Sequence, residues 1–262
     1  MYPSIQVGPI SLPTAQILAL VAAWFGLSVM AQVGRRLRLD PDMVWNLGTL
    51  ALAAGLIVAR LSHAVQYWDI YRAEPLLLVS IRPGGLLFWP GAIGALAAGY
   101  LYLVRKGVDP RPVGTAVVLG VLAGGAVLEV SYFLTGSTVG VPGTPPAAVS
   151  TALTGIGKLA EPLRLISGEV RHPVALYRAI GMMLIVGGFL LWGDWKRPGR
   201  LAGKALLALA LLRLLVDGFA ADASQLGPLR ISQLVALVAA LALALSLAGT
   251  ADRDGSSQSA SG

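Results

Sequence analysis

VGTAVVLGVLAGGAVLEVSYFL, Val113 to Leu134, carries a single charged residue, Glu129, in twenty-two positions. A helix of that length crosses about 30 Å of hydrocarbon at 1.5 Å per residue. The stretch shows none of the apolar–polar alternation of a barrel strand, and a helix satisfies its own backbone groups in lipid. It therefore reads as a membrane-spanning helix. Moving outward, charge-poor runs of similar length recur at Pro13 to Val33, Met43 to Arg60, Gly85 to Val104, Pro173 to Trp195, Leu201 to Phe219 and Ile231 to Leu247. The fold class expected is an all-α integral membrane protein, a seven-transmembrane-helix bundle with an outer-face cap.

Composition agrees, because 56% of the 262 residues are hydrophobic and 13% are charged, so neither half reads as a water-soluble domain. Residues 1–250 are expected to form the membrane domain and residues 251–262, rich in Ser and Gly, a mobile tail. The first charge is Arg35, so the opening apolar run has no basic n-region and is expected to stay in the mature chain. With no cysteine, disulfides, thiolate metal sites and a cysteine nucleophile are excluded, and no cofactor or metal is expected. The net charge of +7 falls between the apolar runs rather than on one polar face, which points to an orientation signal and away from nucleic acid.

Arg35, Arg36 and Arg38 follow the first run, Arg105, Lys106 and Arg111 the third, and Lys196, Arg197, Arg200 and Lys204 the fifth. Positive loops stay inside, so the N-terminus is expected outside and the C-terminus in the cytoplasm. Trp45, Trp192 and Trp195 then lie at the inner interface, with Tyr67, Trp68 and Tyr71 at the outer one. Two long connections, Leu61 to Gly84 and Thr135 to His172, share the outer face and are expected to form the cap. No repeat between the halves is visible, which argues against an inverted-repeat transporter.

An ionisable group inside a span costs about 2.5–3.5 kcal/mol, so each needs a partner or a purpose. Arg213 and Asp217 are four residues apart in the sixth run; Glu129 lies late in the fourth, Arg60 and His63 end the second, and His172, Tyr177 and Arg178 open the fifth. By alternation of direction all belong to the outer half, where one polar pocket is expected to gather them. Arg213, Arg60 and Arg171 suit an anionic phospholipid head group, since guanidinium binds phosphate through a rigid fork of donors. Alternatives stay open: Arg213 pairing with Asp217 or Glu129 to hold the bundle, Arg60 and Arg171 snorkelling, and His172 capping the fifth run. Gly84, Gly85, Gly91, Gly94 and Gly99 read as close helix packing, because no P-loop lysine accompanies them.

These pieces, in this order, resemble the prolipoprotein diacylglyceryl transferases. That family has a GR pair ending span two, a D-P-L segment, GG-x-x-F-H-G-G opening span three, R-H-P-S-Q-L-Y-E opening span five and F-R-x-x-x-E in span six. The counterparts here are Ala59-Arg60, Glu74-Pro75-Leu76, GGLLFWPGAIG from Gly84 to Gly94, RHPVALYR from Arg171 to Arg178 and LRLLVD from Leu212 to Asp217. Gly8-Pro9 and Ser232-Gln233 also have counterparts, so the likeness runs from Gly8 to Leu247.

The resemblance implies a bacterial plasma-membrane enzyme that moves diacylglyceryl from phosphatidylglycerol to the lipobox cysteine thiol of an exported preprolipoprotein. It implies Arg213 as the head-group residue, His172 or a water on Glu129 as base, and Arg60, Tyr177, Arg178, Arg171 and Gln233 as substrate-binding residues. Several motif positions differ. The family histidine of F-H-G-G is Trp89, the span-four arginine is Glu129, its first asparagine Tyr132, its glutamate Ser137, H-W-Y is Pro13-Thr14-Ala15, and the glutamate after L-Y is Arg178. Two consequences follow as alternatives: Glu129 pairs with Arg213, or Arg178 supplies the lost positive charge. The competing function is a catalytically lapsed paralogue that binds lipid or an exported partner.

Overall fold

The computed structural model describes residues 4–7, 10–79, 85–138, 140–143, 171–221, 225–226 and 229–259. Among the described residues, seven helices of nineteen residues or more lie near the expected positions: α1 Thr14–Arg36, α2 Pro41–Gln66, α3 Phe88–Lys106, α4 Pro110–Thr135, α5 Val174–Trp192, α6 Pro198–Val216 and α7 Ile231–Ser259. Extended backbone among the described residues is limited to two short antiparallel pairs and two isolated bridges. The pairs are β1 Ser4–Val7 with β2 Ile10–Pro13 and β3 Gln225–Leu226 with β4 Leu229–Arg230. The architecture is helical.

Among the described residues five helices are long and apolar enough to cross a membrane: α1, α2, α4, α5 and the Ile231–Gly249 part of α7. α3 and α6 are helices but fall outside that set; α6 carries Arg200, Lys204 and Arg213. Leu20, Trp24, Leu96, Val121, Leu184 and Leu245 are exposed on these helices. A water-soluble bundle would bury such a set; here acyl chains are the complementary solvent.

Helix ends follow local chemistry. The Asp40 carboxylate accepts from the Asp42 N–H at 3.1 Å and Pro41 opens α2. α2 runs six residues beyond the expected Arg60, because neither Arg60 nor His63 breaks a helix, and it stops at Gln66. Gly107, at φ +64°, closes α3 in the left-handed conformation that costs glycine nothing. Arg35 and Arg36 sit in the last turn of α1, at the negative end of its dipole. Of the two connections expected to form a cap, the first holds a short helix Trp68–Ala73 and a 3-10 turn Pro75–Leu78. Residues 80–84 and 144–170 lie outside the described residues, and so do the cap contacts expected of them.

The chain divides into two compact units, Met30–Val117 and Met1–Val29 with Val118–Gly262. In the first, α2 and α3 touch backbone to backbone. A Cβ on Gly91 would sit 2.8 Å from the Ala59 Cβ and 2.9 Å from the Gly55 carbonyl oxygen, and one on Gly94 2.6 Å from Val58. In the second unit, Gly26 and Gly124 bring α1 against α4 in the same way, with a Gly124 Cβ 2.8 Å from the Ala22 carbonyl oxygen. Ala123, Ala126, Ala175, Ala179, Ala205 and Ala240 are buried. Small residues let helices approach where lipid offers no hydrophobic drive to associate, so dispersion over short distances holds the bundle.

The packing expected of Gly91 and Gly94 is therefore present, whereas Gly99 has its nearest neighbour at an ordinary 3.6 Å. Gly91→Leu should lower stability by about 1–3 kcal/mol through overpacking. Gly99→Ala should be neutral or slightly stabilising, since alanine is the better helix former by ~0.5–1 kcal/mol. Denaturant titration of both variants in one detergent reads the contrast.

Candidate functional site

Four charges meet in the unit formed by residues 1–29 and 118–262. Arg213, late in α6, donates from Nη2 to Glu129 Oε1 of α4 at 2.9 Å. Arg178, in the second turn of α5, donates from Nε and Nη2 to Asp217 Oδ1 at 2.9 and 2.8 Å. Its Nη1 lies 3.8 Å from Glu129 Oε2, and Arg213 Nη1 lies 4.0 Å from Asp217 Oδ1. The four alternate in sign and together are neutral. The carboxylates are the hidden members: side-chain exposure is 5% for Glu129 and 2% for Asp217, against 12% for Arg178 and 34% for Arg213.

Arg213 is thus ion-paired without being sealed. One Nη2 donor is committed to Glu129, and a third of the side chain remains accessible. Both alternatives left open by the sequence occur together, for Glu129 pairs with Arg213 and Arg178 also supplies positive charge beside it. The expected Arg213–Asp217 pair is secondary, since α6 ends at Val216 and Asp217 begins a 3-10 turn, Asp217–Phe219, that presents its carboxylate to Arg178 instead.

At the same end of this unit, the His172 Nδ1 lies 3.2 Å from the Tyr177 hydroxyl, and its ring stacks obliquely on Phe219 at 4.9 Å. Its backbone N–H donates to Val141 at 3.2 Å, and its carbonyl accepts from Val174 at 3.0 Å as α5 begins. A Cβ on Gly143 would lie 2.7 Å from Nε2, so only glycine leaves that nitrogen room. Arg171 donates to the Gly140 carbonyl at 3.2 Å. Gln233 joins α7 to the end of α6: its Nε2 donates to the Leu214 carbonyl at 3.0 Å and its Oε1 accepts from the Arg230 N–H at 3.2 Å. The sequence had not singled out Phe219, the Arg178–Asp217 partnership or Arg230. Only the first had any local signal, an aromatic residue two positions past LRLLVD.

Arg60 and His63 belong to the other unit, Met30–Val117. The Arg60 guanidinium donates to the carbonyls of Leu78 at 3.1 Å, Gly85 at 3.0 Å and Leu77, and stands 5.5 Å from the Tyr71 ring centre. His63 Nδ1 lies 3.0 Å from the Tyr71 hydroxyl. This geometry orders the chain that leads into α3, and a Cβ on Gly85 would collide with Arg60. Trp89, where the resembling family has histidine, is 73% exposed and packs edge-on against Phe88. The Ser137 hydroxyl is 2.7 Å from that of Thr135.

Breaking one partner of a buried pair strands the other charge. Asp217→Ala, which strips Arg178 of its nearest partner, should destabilise the protein by about 3–5 kcal/mol, and the double variant Arg178→Met, Asp217→Leu should recover most of that loss. Thermal unfolding of the three proteins in detergent checks both statements.

Comparison with known proteins gives this constellation a context. The family model described as prolipoprotein diacylglyceryl transferase matches residues 4–248. The chain is 26% identical over 243 residues to a phosphatidylglycerol–prolipoprotein diacylglyceryl transferase of Synechococcus elongatus, covering 90% of this chain and 82% of the relative. Proteins of the same name from Clostridioides difficile and Bacillus cereus are 25% and 27% identical, covering 85% and 89% of this chain and 84% and 86% of theirs. The match, from residue 4 to residue 248, covers nearly the whole chain: the chain belongs to the prolipoprotein diacylglyceryl transferase family.

Proposed function

We propose that this chain transfers the diacylglyceryl group of phosphatidylglycerol to the lipobox cysteine thiol of exported preprolipoproteins. The observation that carries this reading is Arg213, accessible over a third of its side chain while held in place by a buried carboxylate at 2.9 Å. In the reaction the thiol loses its proton, sulfur bonds to the terminal glyceryl carbon, and the bond from that carbon to phosphate oxygen breaks. Glycerol phosphate leaves with a second negative charge. A guanidinium fixed beforehand stabilises that developing charge without reorganising at the moment of reaction. Arg213 takes this role; Arg178 adds positive charge nearby while holding Asp217.

His172 is the base in this mechanism. Its Nδ1 is engaged by Tyr177, which leaves Nε2, beside Gly143, as the nitrogen for the thiol proton. Glu129 is less suited, since both neighbouring arginines draw on its carboxylate. Arg171 and Gln233 then set the loop and helix that frame the substrate, and Arg60 orders the approach to α3. The membrane placement that goes with this function has seven crossings, α3 and α6 included, the N-terminus outside and the C-terminus in the cytoplasm of a bacterial plasma membrane. Residues 1–250 form the membrane domain and residues 251–262 a tail. The lipid substrate enters laterally and the preprolipoprotein from the outer side.

A second reading is favoured by one observation, the Glu129 carboxylate at a motif position held by arginine in the family. An anion there repels a phosphodiester, and a lapsed paralogue that only binds lipid or an exported partner would tolerate it. Complementation separates the two. In a bacterium depleted of its own transferase, this chain should restore diacylglyceryl labelling of a lipoprotein, and Arg213→Ala should reduce the rate by about 10²–10³, the usual effect of removing one charge-stabilising donor. Normal insertion with no labelling would establish the lapsed reading.

A further inference from the structure

Arg230 is an arginine that the transferase motifs leave unused. It ends β4 immediately ahead of the apolar Ile231–Gly249 segment, which puts it at the depth where a membrane changes from acyl chains to head groups. Yet it is only 9% exposed, and its Nη1 is buried without a hydrogen-bond partner among the described residues. No carboxylate among the described residues lies within ion-pair distance of it. The nearby carboxylates are already committed, Glu129 to Arg213 and Asp217 to Arg178.

Arg230 is tied to the candidate site. Its N–H donates to Gln233, which donates in turn to the carbonyl of Leu214, the residue after Arg213, and β4 packs on the Asp217–Phe219 turn. A buried guanidinium with an unanswered donor is costly unless an anion meets it. The four-charge cluster beside it is neutral, and no carboxylate among the described residues pairs with Arg230.

We propose that Arg230 binds the phosphodiester of an anionic phospholipid, a contact that Glu129 at the span-four motif position cannot make. Its use in catalysis rests on the transferase function proposed above; the binding itself does not. The phosphate oxygen answers Nη1, and the apolar start of α7 lies against the first carbons of the acyl chains.

The test uses the full chain in phosphatidylcholine nanodiscs with and without phosphatidylglycerol, where no turnover is needed. Arg230→Gln should weaken phosphatidylglycerol binding by about tenfold to a hundredfold, and Arg230→Lys should restore part of it. On the unmodified protein, phosphatidylglycerol should protect Arg230 from phenylglyoxal, read by peptide mass spectrometry, so the question is decided even where Arg230→Gln does not fold. Equal lipid affinity of a folded Arg230→Gln, or equal labelling in both nanodiscs, overturns the proposal. Inorganic phosphate protecting Arg230 in phosphatidylcholine alone as well as phosphatidylglycerol does would overturn the lipid and assign a soluble anion. A protein that transfers nothing but loses phosphatidylglycerol on Arg230→Gln refutes the enzyme and keeps the site.

Discussion

Glu129 and Asp217, two carboxylates almost without exposure, must be answered by positive charge before the helices that carry them can pack. In a low-dielectric interior an unpaired carboxylate is far more costly than the modest net worth of a satisfied pair. Arg178 and Arg213 meet that requirement from α5 and α6, so one electrostatic constraint fixes α4, α5 and α6 to one another at a single end. The Asp217–Phe219 turn carries Phe219 against His172, and Gln233 fastens the start of α7 to the residue after Arg213.

The apolar packing serves the same end by a different means. Glycine and alanine let α1 approach α4, and α2 approach α3, to backbone contact, and leucine, tryptophan and valine stay outside for the lipid. Such close approach leaves little room for lateral adjustment, so helix register is set by small residues and helix pairing by charges. A site built this way is rigid where it holds its arginines and accessible where Arg213 emerges. Preorganised charge with an open side is the combination that phosphodiester chemistry in a membrane asks for.

Substitution at the motif positions has a coherent physical pattern. Where the resemblance sets an arginine in span four and a glutamate after L-Y, this chain carries Glu129 and Arg178. The two lie 3.8 Å apart, so their opposite charges offset each other locally. Trp89, by contrast, stands where a basic side chain is found in the family, and its exposed indole takes no part in proton transfer. His172 is held by Tyr177 within the RHPxxLY segment, at the start of α5.

How much of this was legible beforehand follows from which forces are local. Hydrocarbon thickness and the cost of bare backbone act on every stretch of chain by itself, so the helices around Val113 to Leu134 and its counterparts could be read directly, within a few residues at their ends. The collinear motifs likewise gave the family, and the glycines pointed to close helix packing without naming the partner helix. Ion pairing obeys no such locality. Glu129 and Arg213 are 84 residues apart and Arg178 and Asp217 are 39 apart, so four residues admitted several pairings of equal merit. The choice of Arg178 for Asp217 required the 3-10 turn after Val216, and the burial of Arg230 required the turn that folds α7 back on α6. Sequence alone determined which segments form long apolar helices; tertiary structure decided which charges meet among them, because Coulomb attraction depends on distance in space and is indifferent to distance along the chain.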